Sequence, residues 1–176
     1  MKISHLLVLL VLQLIIAMPS IAQASLELAD DAFWKQIQAV SEGFNDYAHT
    51  NGAFPAFNMF GGQMVPVVRK SLADNLTNPY YKDRQQLVHQ IRLEERMMAD
   101  IDFRFFTDKT LDEERIDYYR TNPPAEWQGI PGTIAGVGNS KGDLIVFFGI
   151  GADGKPLADK VGDGMSLKFA VIQLEK

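Results

Sequence analysis

Apolar residues recur along residues 27–48 with the period of a helix. Phe33, Ile37, Val40, Phe44 and Tyr47 follow one another at alternating spacings of four and three, which puts them on one stripe. Asp30, Lys35, Gln36, Ser41, Glu42 and Asn45 fall off that stripe and form the expected polar face. Asn51-Gly52 stops the pattern, since glycine takes the left-handed conformation that helix ends often need. Phe54-Pro55 then sends the chain out extended. The stripe predicts a helix facing a core; it is too short to favour a coiled-coil seam.

Further along, the pattern is less regular. Residues 53–66 are rich in Gly, Phe, Met and Pro and read as a loop. Residues 67–76 fit a short helix, ended by Asn78-Pro79. Residues 82–99 fit a second long helix with Leu87, Ile91 and Met98 on one face. Ile101, Phe103 and Phe105 alternate with Asp102 and Arg104, the signature of a strand. Thr110-Leu111-Asp112-Glu113 fits a capping box opening a helix to about Arg120, closed by Asn122-Pro123-Pro124. From Gly129 onward glycines recur. Residues 144–148 and 167–174 are β-prone runs, with turn signals at Asp153-Gly154 and Gly162-Asp163-Gly164. The expected architecture is α+β: a long N-terminal amphipathic helix and additional helices packed on a C-terminal antiparallel β-sheet.

The first residues change what this domain is for. Lys2 precedes an apolar run over residues 6–18, interrupted only by Gln13. Pro19 and Ser20 are expected to break the helix, and Ala22-Gln23-Ala24 supplies the small-x-small pattern of a leader cleavage site. The run is short for a bilayer span, which takes about 20 apolar residues. Residues 1–24 therefore read as a signal peptide and 25–176 as a single extracytoplasmic domain, periplasmic or secreted. A retained N-terminal anchor is the alternative, and the one route to a membrane.

Composition narrows the classes. The chain has 176 residues with 17 basic and 22 acidic side chains, a net charge of −5. Losing Lys2 with the leader makes the mature domain slightly more acidic. That balance argues against nucleic acid and against anionic lipid surfaces as partners. There is no cysteine, so disulfides, thiolate nucleophiles and thiolate metal sites are excluded.

Motifs for catalysis are weak. His89 sits in a polar helical stretch without a second histidine at metal-ligand spacing. Glu94 and Glu95 are helix neighbours, which cannot face one another across a cleft as glycosidase carboxylates do. With Arg92 and Arg96 beside them they read as surface ion pairs. Ser41, Ser71, Ser140 and Ser166 lack a Gly-x-Ser-x-Gly setting. Gly136-x-Gly138 and Gly149-x-Gly151 fall within β-prone sequence and open no helix, so they are not phosphate cradles. The most distinctive group is Asp153, Asp159 and Asp163 on one Gly-punctuated stretch. Hard cations such as Ca2+ take several oxygen ligands from such loops, so these three aspartates are the candidate metal ligands, with solvated turn residues as the alternative.

Three segments, in this order, resemble type IV pilin-related proteins, most closely the major pseudopilin of type II secretion. Tyr47-Ala48-His49-Thr50-Asn51-Gly52-Ala53-Phe54-Pro55 is similar to that family's helix exit. Pro123-Pro124-Ala125-Glu126-Trp127-Gln128-Gly129 is similar to its Trp-containing segment. Gly149-Ile150-Gly151-Ala152-Asp153-Gly154-Lys155-Pro156 is similar to its calcium loop. The resemblance implies a pilin-like fold, calcium stabilisation and a structural or interaction role among cell-envelope proteins, without catalysis. The family's Gly before a Phe-Thr-Leu-Ile-Glu run has no counterpart here. The competing expectation is a small periplasmic enzyme or ligand-binding domain, with a pocket walled by the 54–64 loop and Trp127.

Overall fold

The computed structural model describes residues 3–56, 63–72, 78–80 and 103–174, with side chains from Gln23 onward except Val65. The expected helix over 82–99, with His89, Glu94 and Glu95, lies outside the described residues, as do residues 57–62 of the expected loop.

The first helix, α1, spans Ile3–Asn51. It runs through Pro19 and Ser20 instead of breaking there. A proline removes one amide bond from the ladder, and the turns on either side carry the helix across. Its end follows the sequence: Gly52 has φ +72°, its N–H donates to Ala48 O at 2.8 Å, and Asn51 Nδ2 donates to Tyr47 O at 2.8 Å. The second helix, α2, spans Met64–Ser71, earlier than expected. Pro66 lies in its first turn, where a missing N–H leaves no helical bond unmade.

Strand β1 spans Phe103–Thr107 and helix α3 Glu113–Thr121. The N-cap of α3 is Asp112, whose Oδ1 accepts from Arg115 N at 2.8 Å. The Thr110–Glu113 capping box is therefore displaced: Thr110 Oγ1 donates instead to Asp108 Oδ1 at 2.8 Å. A carboxylate is the stronger acceptor for an orphan helix amide. A single 3-10 turn at Ala125–Trp127 leads into β2, Ile134–Gly138. Then come β3 (Leu144–Gly149), β4 (Ala158–Val161), β5 (Gly164–Leu167) and β6 (Ala170–Gln173).

The main sheet has the order β1-β2-β3-β6, and β4 with β5 forms a separate hairpin. The sheet is mixed, which corrects the expected antiparallel one: β1 runs parallel to β2, while β2–β3 and β3–β6 are antiparallel. The cause is topological. Helix α3 lies between β1 and β2 in the chain, and a helical crossover returns the next strand in the same direction. The run at 167–174 is also divided, Lys168 and Phe169 separating β5 from β6.

Both faces of the sheet are covered. Along β3, Ile145 and Phe147 join a core with Phe33, Ile37, Val40 and Phe44 of α1, Val67 and Val68 of α2, and Phe103 and Ile134. Leu144, Val146 and Phe148 join a second core with Ile116 and Tyr119 of α3, Trp127 and Leu167. The alternation follows the pleat, and burial on both sides explains why the 144–148 run is continuously apolar. In the first core Phe44 meets Phe147 edge-on at 4.8 Å. In the second, Trp127 stacks on Phe148 at 4.5 Å. Helix and sheet approach so closely that a Cβ on Gly149 would overlap Phe33 and Ile37. Gln36, assigned to the polar face, is buried. It lies on the same flank as Gly43, where Ser71 of α2 crosses α1, so the covered arc of α1 is wider than its apolar stripe.

Candidate functional site

A trough of about 480 Å3 lies between α1 and α2. Its floor is small and apolar, from Ala39, Gly43 and Val67, and Glu42, Asp46 and Lys70 stand around it. The volume lies within the range of small-molecule sites. The polar groups near it are turned to local backbone: Thr50 Oγ1 donates to Asp46 O at 2.9 Å and Ser71 Oγ to Val67 O at 2.8 Å. The trough thus offers shape and two carboxylates, and no converging donor set.

A second cluster ties α1 to the turn before β2. Asn78 is buried; its Nδ2 donates to Pro131 O at 3.0 Å and its Oδ1 accepts from Tyr80 N at 3.0 Å. Gly132 has φ +86°, and a Cβ there would collide with the Asn78 amide, so glycine serves both the backbone conformation and the contact. The Tyr80 ring meets Phe33 edge-on at 5.6 Å, and its hydroxyl donates to Asp30 Oδ1 at 2.5 Å. Burial pushes the Tyr80 phenol far above its ordinary range, helped by the hydrogen bond to Asp30 and by the charges of Asp30 and Asp153.

A third cluster fixes α3 to the end of β1. Tyr119 OH donates to Asp108 Oδ2 at 2.6 Å and accepts from Arg115 Nε at 2.9 Å. Burial alone would raise the Asp108 carboxyl, but hydrogen bonds from Tyr119 and Thr110 and the Arg115 charge hold it below the usual carboxylate range. Burial and the bond to Asp108 raise the Tyr119 phenol, against the opposing pull of Arg115. Every member is satisfied inside the cluster, which is how a structural polar network is built.

The three candidate metal ligands are held at different places. Asp153 lies in the turn after β3, and its Oδ1 accepts from Lys155 N at 2.9 Å. Asp159 is on β4 and pairs with Lys168 at 3.0 Å. Asp163 sits in the β4–β5 turn. Among the described residues no three His, Cys, Asp or Glu side chains form a group that could hold a metal ion. Of the residues expected to wall a pocket, Phe54 packs on the α1 core and Trp127 in the α3 core, and 57–62 lie outside the described residues.

Tyr80, Asp30 and Asn78 were not legible as partners. Asn78-Pro79 reads only as a helix breaker, and Asp30 reads as one more solvated helix residue. Comparison with known proteins adds nothing to this geometry: no protein-family model, no curated protein and no solved structure matches the chain.

Proposed function

We propose that this chain is an exported protein of the cell envelope, pilin- or pseudopilin-like in build, that works by binding other envelope proteins and not by catalysis. One observation carries the reading. Helix α1 is continuous from Ile3 to Asn51, and among its described side chains those from Phe33 onward enter the core. Gln23 to Leu28 are exposed, and Phe33 is the first fully buried one among the described side chains. In the chain before processing, an apolar run at residues 6–18 is thus joined by one helix to a folded head. The head carries α1 on one face of a mixed sheet, a coarse layout that supports this reading. Calcium rests on the carboxylate-bearing loop and on the resemblance, and the proposal makes no use of it.

The test is cross-linking in intact cells followed by isolation of the envelope fraction through a C-terminal tag. The reading expects discrete cross-linked species with envelope proteins that a tagged, unrelated exported domain does not give. Recovery of the chain solely as an uncross-linked monomer, at cross-linker levels that trap known envelope complexes, would contradict it.

A further inference from the structure

Strand β6 closes one side of the main sheet, and no described strand lies beyond it. Its register on β3 fixes which backbone groups face outward. Leu174 N donates to Asp143 O at 2.8 Å, and along the same ladder Ile145 pairs with Ile172 and Phe147 with Ala170. Antiparallel pairs alternate between bonded and non-bonded, so Ala170 and Ile172 direct their N–H and C=O groups at β3. Those of Val171 and Gln173 point to the open side. Gln173 is exposed and Val171 is 43% exposed, so solvent reaches that side at both positions. Sheet edges are commonly protected by charge, yet β6 carries no charged residue.

We propose that β6 pairs antiparallel with β6 of a second copy of this chain, joining the two four-stranded sheets into one. Charge favours the second copy as the occupant. A two-fold axis normal to the sheet sets each residue opposite itself or opposite one an even number of places away. On β4, at an edge of the separate hairpin, that operation sets Asp159 against Asp159 or Lys160 against Lys160, and like charges directly opposite repel. On β6 it meets no charge. With Ile172 opposite Ile172, Val171 of each copy faces Gln173 of the other and exchanges N–H···O=C bonds with it. Those bonds use only strand residues and take up every outward-facing backbone group of β6. Val171 shares its face with Val146, and the two-fold brings both exposed Val171 side chains together on that face. The pairing needs neither export nor an envelope partner.

Sedimentation velocity on the purified full chain reads the assembly, and two kinds of variant locate it. The wild type is expected to be a dimer whose dissociation constant rises by about tenfold or more in Val171→Pro. Proline there removes an N–H that β3 does not use and is tolerated at sheet edges, so the circular dichroism spectrum should be unchanged. The chain has no cysteine, so introduced thiols report without interference. Val171→Cys combined with Gln173→Cys should give a disulfide-linked dimer on mild oxidation, because directly opposite Cα atoms lie about 5.5 Å apart. Gln173→Cys alone should not, its copies being out of register and beyond the limit of about 7 Å for a bridge. A wild type that stays monomeric at about 100 μM, a dimer as tight in Val171→Pro, or equal cross-linking in the single and double cysteine variants would overturn the proposal.

Discussion

Two residues concentrate the local energetics. Tyr80 holds its proton more tightly in the folded chain than in the unfolded one, because burial and the Asp30 carboxylate both oppose the phenolate. Its contribution to stability is complete below the ordinary tyrosine value of about 10 and falls as pH rises beyond it. Urea midpoints at about pH 8 and about pH 10.5 should therefore drop more in the wild type than in Tyr80→Phe. Tyr119 is raised too, so the variant loses only part of the alkaline sensitivity; equal drops in both proteins would refute the assignment. Thr133 is the second residue. It is 1% exposed, and its hydroxyl has no hydrogen-bond partner among the described residues. An unmade buried bond costs about 1–3 kcal/mol, so Thr133→Val should be neutral or stabilising by about 1 kcal/mol in chemical denaturation. A loss of stability there would mean that the hydroxyl is satisfied.

At the scale of elements, local signals were legible and long-range ones were not. The stripe Phe33, Ile37, Val40 and Phe44 is a property of one helix and its period, and all four residues are fully buried. The stop at Asn51-Gly52 and the strand at Phe103 follow from neighbouring residues in the same way. Gly136-x-Gly138 reads as sheet sequence, but the bounds of β2 were not legible because both glycines dilute its β-propensity; those glycines leave room for Phe105, which a Cβ at either position would crowd. The parallel pairing of β1 with β2 depends on where α3 packs, which no window of sequence contains. The Asp30–Tyr80 bond joins residues 50 apart, and two polar residues at that distance carry no mark of each other. The stripe itself is open to a direct test. Truncating a buried Phe costs about 3–5 kcal/mol, so Phe44→Ala should lower the melting temperature by roughly 10 °C. Glu42→Ala, two residues away and exposed, should change it little; equal and small effects would mean that α1 does not pack as described.

Among the described residues the molecule is a mixed sheet covered on both faces, with α1 its longest helix. Before processing, α1 runs about 45 Å from Ile3 to Phe33 at the usual helical rise, and its described side chains ahead of Phe33 add nothing to the core. That excess, together with the apolar run at residues 6–18, is what the envelope reading explains and what a self-contained cytosolic domain would not require. The trough between α1 and α2 and the tyrosine clusters are accounted for by packing and helix anchoring, so the functional reading depends on the helix and its address. The most direct measurement is the intact mass of the chain recovered from cell fractions. The account predicts a mature species beginning at Ser25 in the envelope or secreted fraction. Full-length chain confined to the cytosol would contradict it.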